Sequence, residues 1–455
     1  MTALIAVVDI GKSNAKLSLL DAQSGSNIWS VKRANRVVHA SQSRQLDIVA
    51  IEQWLLDMFR RAPHKERVSV IVPIAHGAAA VFVDERGAIV EAPDYEDPRF
   101  GAADEDYERQ RDAFEETYSP SLPLGLNLGR QFHILDRDGS QPLTRARHAL
   151  LYPQYWAWRL SGVMASEVTS LGCHTDLWRP RQKTFSALAH ARQWTRLFPS
   201  LRFAGDVLGT ITASVAEATG LPPTCRVSCG IHDSNAAFLE HLLAHGRDEP
   251  FCVISSGTWT VTMANAADPT RLRAGHDMLA NVNPFSSPVC TARFMGGREY
   301  EAISRSTVLP HQQSLEAVLR RQSMAVPSFA RAGPFPDAQG EVLRADDLSE
   351  LERAALATLY VALMSDLSID LLAARGDIFV DGPLASNPLF GSVLAAWHPQ
   401  RRVFITPSSS GECARVAAFL SGFPNLASAE SSAVQPLNLA GLEDYRRTWR
   451  ELLPQ

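Results

Sequence analysis

The chain has 455 residues, 45% of them hydrophobic and 20% charged, which is more than one hydrophobic core organises, so two or three domains are expected. Its 44 basic and 49 acidic residues leave a net charge of −5 with no strongly basic block, which argues against nucleic acid and for small-molecule partners. The first apolar run is short and lacks a preceding positive charge, no stretch reaches the roughly 18 uninterrupted apolar residues of a membrane span, and six cysteines in so long a chain make no disulfide framework, so a reducing cytoplasm is the expected compartment.

From the N-terminus, LIAVVDIGKSNAKLSLLD reads as strand, turn, strand, and GSNIWSVKRA as a third strand. DIVAIEQWLLDMFRRA carries Ile48, Ile51, Leu55, Met58 and Phe59 at helical spacing. VSVIVPIAHG and AAVFVDERGAIVEA return to strands, and strands alternating with a helix predict an α/β domain. Residues 94–150 are rich in charge and turns and are expected to be an insertion of solvated helices covering a pocket. LYPQYWAWRLSG has Pro153 early and Gly162 past its end, a helix signature. A short helix and a Pro-Pro turn then lead into the strand CRVSC and the segment GIHDSNAAF.

EPFCVISSGTWTVTMAN repeats the strand, small-residue turn, strand pattern of the N-terminus, a weak internal repeat that predicts two similar α/β domains, 1–240 and 241–455. The clearest helix starts at Ser349 with Glu352 as a capping box, has Leu351, Ala355, Leu359, Leu363, Leu367 and Leu371 every four residues, and stops before Gly376. DIFVDG is a strand, PLASNP a loop, LFGSVLAAWH a helix, RRVFITP a strand, and SSSGECARVAAFLSG a loop entering a helix.

Three turns share one design: DIGKSNAK (9–16), SSGTW (255–259) and DGPLASN (381–387) each follow a strand and carry Gly, Ser, Thr or Asn. Such turns present N–H groups and hydroxyls that cradle phosphate oxygens, although each alone also fits a plain hairpin. Neither a Walker A pattern nor a G-x-G-x-x-G fingerprint is present. Asp233, at a strand-to-helix handover, is either a helix cap or a catalytic base.

Taken in order, DIGKSNAK, GIHDSNAAF, ISSGTWTVTM, VDGPLASNPLFGSVLAAW and GECARVAAFLSG resemble the FGGY carbohydrate kinases over nearly the whole chain, and SSGTW resembles the L-fuculokinase and L-rhamnulokinase branches. The resemblance implies an α/β fold of two RNase H-like domains of the actin and hexokinase type with a cleft between them. It implies ATP and Mg²⁺ as cofactors, and a small ketose or 6-deoxyketose as substrate, L-fuculose first. A pentulose kinase for xylulose or ribulose, a non-catalytic sugar or nucleotide sensor, and an actin-like ATPase are the competing readings. The implied partners are sugar and ATP, without nucleic acid or membrane, and a homodimer is left open.

Carried over by position, Asp233 matches the base and Asp9 the acidic residue that binds Mg²⁺ through water. Gly11, Lys12, Ser13 and Asn14 match the first phosphate loop, with Lys16 ending it. Ser256, Gly257 and Thr258 match the second phosphate loop, and Gly382 and Asn387 the adenosine loop, Asn387 being otherwise a plain turn residue before Pro388. His232 is expected beside the sugar, or else as satisfied polar packing. YEDPR resembles the family's W-x-D-x-R, which makes Asp97 and Arg99 sugar-site candidates, a surface ion-pair loop being the alternative. Ala78 falls where deoxyketose kinases carry an acidic residue; with Ala79 and Ala80 it would line an apolar wall for a methyl group, or simply pack. Pro383 after Gly382, and Arg415 and Val416 in place of small residues, also depart from the family pattern.

Overall fold

The computed structural model describes residues 2–40, 43–102, 104–139, 141–406, 413–424, 426 and 432–454; the turn 408–412 read from the sequence lies outside them. The chain divides into two units, the first made of 1–244, 280–288 and 412–427, the second of 245–279, 289–411 and 428–455. The chain first crosses from one unit to the other between residues 244 and 245. The two later segments join the first unit by contacts distant in sequence, which a linear reading does not register.

In the first unit, β1 (Leu4–Ile10) pairs antiparallel with β2 (Asn14–Asp21), which pairs antiparallel with β3 (Asn27–Ala34). On its other side β1 runs parallel to β4 (Val68–Ala75), and the sheet continues through β6 (Arg226–Ser228) to β5 (Val207–Thr210), with β7 (Ile231–His232) also parallel to β4. β1 and β4 are nearly continuous apolar runs because they are covered on both faces, whereas β3, at the edge, alternates partly covered and exposed residues. Helix α1 (Ile48–Arg61) is capped by Asp47 and turns Ile48, Ile51, Leu55 and Phe59 into the core against β1.

In the second unit, β8 (Phe251–Ser256) pairs antiparallel with β9 (Thr260–Ala264), β9 antiparallel with β10 (Pro288–Phe294), and β8 parallel with β11 (Asp377–Asp381), which is followed by parallel β12 (Val403–Ile405). The order 6-4-1-2-3 of the first sheet thus recurs as 12-11-8-9-10 in the second. The repeat heard in the sequence is a repeat of topology.

Residues 94–150 differ from the expected solvated insertion. Helix α2 (Leu128–Arg137) and its neighbours build a second core in which Tyr107, Leu128, Phe132, Leu135 and Leu143 are buried with Phe82 and Trp194. The segment reads as polar because its carboxylates cap and pair inside the fold: buried Asp112 accepts from Arg179 Nε at 2.7 Å and from the Leu188 N–H at 2.9 Å.

In the order of the chain, the other helices used below are α3 (Tyr152–Ser161), α4 (Val168–Leu171), α5 (Asp233–His245), α6 (Gly296–Ser304), α7 (Glu350–Leu371), α8 (Pro388–Trp397), α9 (Ala414–Leu420) and α10 (Leu442–Glu451). The capping box of Ser349 and Glu352 starts α7 as expected. Although α7 is long and apolar enough to cross a bilayer, its most apolar window is 89% buried, so this is a core helix. Asp366 on α7 is fully buried between Arg446, which donates two bonds of 2.8 Å, and Arg450, at 2.5 Å, with His398 Nε2 at 3.0 Å. Burial alone would raise this carboxyl; His398, Arg446 and Arg450 overcome it and hold it down to about 2.

The depressed carboxyl contributes stability above the unfolded value near 4, and the contribution is lost as pH falls towards 2. Asp366→Ala leaves the two arginine charges in place and is expected to cost the second unit about 3–5 kcal/mol in urea unfolding at pH 7. The deficit should be equal at pH 8 and pH 5 and shrink below about pH 4.

Candidate active site

The carboxyl ends of β1, β4 and β7 lie side by side, since β4 is the parallel neighbour of both other strands. Asp9 and Ile10 end β1, His76 follows β4 with its N–H on the Ile10 carbonyl at 3.0 Å, and β7 hands over to α5 at Asp233. Three segments far apart in sequence thereby supply one cluster of titratable groups.

Asp233 keeps 37% of its side chain exposed. Its Oδ1 accepts from the Ser234 N–H at 2.6 Å and the Ser234 hydroxyl at 3.3 Å. Enclosure by the surrounding atoms raises this carboxyl above its ordinary value, against the opposing pull of His76 and Ser234. Burial is also the main reason that Asp9 is pushed up to about 6; the negative charge of Asp233 adds to it, and Lys16 opposes it. Lys16 faces Asp9 directly across the β1–β2 ladder. Two carboxylates in one enclosure with too little positive charge form a place where a cation is stabilised.

The sequence did not single out His76. It is buried, with Tyr152 and Tyr95 rings edge-on at 4.9 and 6.0 Å, and Nδ1–H donates to the Gly77 carbonyl at 2.8 Å. Burial holds the imidazole below its usual value, opposed by Gly77 and by the Asp233 charge. With the Nδ1 proton committed to the Gly77 carbonyl, Nε2 is the acceptor of the neutral form of the ring. The available signal was IAHG, an apolar strand ending in His beside the strand that ends in Asp9.

The first loop is a tight turn, Gly11 N–H to Asn14 carbonyl at 2.9 Å, braced by Asn35 on the carbonyls of Gly11 (2.8 Å) and Ser13 (2.8 Å). Ser13 is exposed. Lys12 turns away from the turn: its ammonium pairs with Asp94, lies 3.5 Å from Glu96, and sits 4.2 Å over the Tyr95 ring. Asp97 and Arg99 take part in an internal ion-pair network. Buried Asp97 accepts from the N–H groups of Arg44 and Arg99, and the Arg99 guanidinium bonds Asp97 and Glu91. Ala78 is also buried, at a φ of 54°, and its carbonyl receives Gln131 Nε2 at 2.7 Å, so its backbone shapes the bend after β4. Arg415 and Val416 are accommodated by Glu240 on α5, whose carboxylate stands 3.5 Å from Arg415 Nε and accepts the Val416 N–H at 3.4 Å.

In the second unit, a cavity of about 510 Å³ is lined by Ser256, Gly257, Thr258, Gly297, Pro383 and Asn387, among others. Both turns expected to hold nucleotide therefore open on one space. Ser256 ties them together, its hydroxyl donating to the Asp381 carbonyl at 2.7 Å and accepting the Leu384 N–H at 3.0 Å. Gly382 has φ 80°, and a Cβ there would stand 2.1 Å from the Ser256 carbonyl oxygen, so only glycine fits. Asn387 caps α8 through the Leu389 N–H at 3.2 Å and reaches Thr358 Oγ1 at 2.9 Å, so its side chain braces the cavity wall.

Residues 248–429 match the family described as "Carbohydrate kinase FGGY, C-terminal domain". A carbohydrate kinase from Novosphingobium aromaticivorans of known crystal structure is 34% identical, with a TM-score of 0.90 over 99% of this chain and 98% of that one. The chain is 24% identical to the rhamnulokinase of Bacteroides thetaiotaomicron over 56% of its length and 53% of the relative's, and 27% identical to the L-fuculokinase of Escherichia coli K12 over 58% and 57%. It thus spans about half the length of the curated relatives it matches. A xylulose kinase from Lactobacillus acidophilus shares the fold, with a TM-score of 0.78 at 13% identity over 99% of this chain and 96% of that one. The chain belongs to the FGGY carbohydrate kinase family.

The raised Asp9 carboxyl has a consequence for stability. Its ionisation costs nothing extra below about pH 4 and its full amount above pH 6, because the folded state holds the proton more tightly than the unfolded one. Asp9→Asn should therefore stabilise the first unit by about 1–2 kcal/mol at pH 7.5, allowing for solvent screening. Thermal melts should show the gain disappear by about pH 4.

Proposed function

We propose that the protein is an ATP-dependent sugar kinase that phosphorylates a hydroxyl of a small ketose, a 6-deoxyketose such as L-fuculose being the first choice. The observation that carries this reading is Asp233, a partly open carboxylate of raised basicity at the carboxyl ends of β1, β4 and β7. Phosphoryl transfer requires an acceptor hydroxyl held in line and a base to take its proton, and a carboxylate of raised pKa serves better than an ordinary one. Oδ1 of Asp233 already accepts from Ser234, and Oδ2 is the oxygen for the substrate proton.

Sugar kinases of this family use ATP. The turn 11–14 offers N–H groups and the Ser13 hydroxyl to phosphate oxygens, and the cavity at Ser256–Thr258 takes the nucleotide. Mg²⁺ would be held at Asp9, where the crowded carboxylates call for a cation, and it would neutralise charge on the transferred phosphoryl group. Near Asp233, neutral His76 accepts from a sugar hydroxyl, the Tyr95 ring supplies an apolar face, and the Lys12–Asp94 pair offers one donor and one acceptor.

A pentulose kinase is the second reading, and the run Ala78-Ala79-Ala80 favours it, since no carboxylate there selects a deoxyketose. A methyl group in an apolar pocket is worth about 1–3 kcal/mol, so more than one ketose should be turned over. Comparing kcat/KM across L-fuculose, L-rhamnulose, xylulose, ribulose and glycerol should place a 6-deoxyketose first. A tenfold preference for a pentulose would move the substrate assignment and leave the kinase reading intact. Asp233→Asn should lower kcat at least about a hundredfold with ATP affinity nearly unchanged. Near-normal turnover in that variant would overturn the assignment of the base.

A further inference from the structure

Four arginines converge on a concavity of the first unit that phosphoryl transfer at Asp233 does not use. A cavity of about 460 Å³ is lined by Arg86, Arg145, Arg147 and Arg196, together with Asp84 and Glu85. That volume is in the range that holds a small organic ligand. Three separate segments supply the arginines. Arg86 stands in the turn after the strand Ala80–Val83, Arg145 and Arg147 precede the strand His148–Leu151, and Arg196 lies in the single-turn helix Trp194–Leu197. One core fixes all three segments, because Phe82, Leu143 and Trp194 are buried in it together. The Arg147 N–H donates to the Val83 carbonyl at 2.7 Å, and Arg196 Nη2 reaches the Leu143 carbonyl at 3.5 Å.

The positive charge of this cavity is not compensated from within the protein. Elsewhere on the surface arginines find carboxylates: Arg60 pairs with Asp57, Arg159 with Glu52 and Arg402 with Asp377. Among the described residues, none of the four guanidinium groups lining the cavity forms an ion pair, although the chain has more acidic than basic residues. Oδ1 of Asp84 is taken instead by the Arg86 and Ala88 N–H groups, both at 2.8 Å, which close the turn. The neighbouring His148 registers the excess: burial lowers its basicity first, and the charge of Arg147 lowers it further. Like charges gathered at one concavity attract a counter-ion. The guanidinium fork matches the oxygens of phosphate in two parallel bonds, and four forks exceed what a single phosphate group engages.

The cavity is also set apart from the carboxylate cluster. The strand Ala80–Val83 pairs with His148–Leu151 along its whole length, Ala80 facing Leu151 and Val83 facing His148. At the Ala80 end the Tyr152 N–H bonds the Ala79 carbonyl, and the Tyr152 ring packs on His76. The arginines gather at the Val83 end, about 10 Å along the ladder.

We propose that this arginine-lined cavity binds a small molecule carrying two phosphate groups, at a site separate from that of phosphoryl transfer. Isothermal titration calorimetry of the full-length protein, without nucleotide or Mg²⁺, compares pyrophosphate, a bisphosphorylated pentose, inorganic phosphate and sulfate. At least one of the two diphosphorylated probes should bind about tenfold or more tighter than phosphate and sulfate, and more weakly as salt is raised. The tighter of the two identifies whether the ligand's phosphates are joined or spaced. The triple variant Arg145→Gln, Arg147→Gln, Arg196→Gln should lose about tenfold or more of that affinity, and Arg86→Gln alone about threefold. All four side chains are exposed, so these changes remove nothing from the core, and kcat should stay within about twofold of the parent. Equal affinity for all four anions would mean unspecific ion binding only and would overturn the proposal. Unchanged affinity in the triple variant would place the bound anion elsewhere, in the nucleotide cavity for instance, and would overturn it equally.

Discussion

The first unit is organised around an electrostatic conflict: Asp9 and Asp233 face one enclosure, and each is made more basic than an ordinary aspartate. Ionising both costs free energy that the internal contacts return only in part. The topology makes the conflict unavoidable. β4 runs parallel to β1 and to β7, so both aspartates emerge at the same end of the sheet. Lys16, opposite Asp9 on β2, relieves part of the repulsion; a divalent cation and a substrate proton would relieve the rest.

The neighbouring side chains divide the work. His76 commits its Nδ1 proton to the Gly77 carbonyl, and burial works against its protonation at Nε2. Lys12, read from the sequence as a phosphate ligand, is held by Asp94 and by the Tyr95 ring, which moves its charge from the turn to the polar surface proposed for the sugar. Asp97 and Arg99 keep that surface rigid from below by locking residues 44, 91 and 97 together. In the second unit, the Ser256 hydroxyl does the equivalent job by joining the ends of β8 and β11 under the cavity.

Much of the fold was legible because local patterns agreed with the final structure: the apolar runs of β1 and β8, the helical spacing of α1, and the capping box of α7. Asp9, Asp233 and the three turns stood out because polar residues end apolar strands there. What remained hidden depends on contacts distant in sequence. The core at residues 94–150 was masked by charged side chains that pair internally, such as Asp112 with Arg179 and Arg111 with Asp176. His76 was invisible until β4 was placed beside β1, and the roles of Lys12 and Asn387 turn on partners 82 and 29 residues away.

The central claim is that enclosure tunes Asp233 for proton abstraction. The most direct measurement is the pH dependence of kcat/KM for the best sugar at saturating nucleotide and Mg²⁺, which reports the base in the form that meets the sugar. The account predicts an acid limb above the ordinary aspartate value of about 4. A limb at or below that value would mean that the carboxylate works as an ordinary solvated aspartate, and would contradict the account.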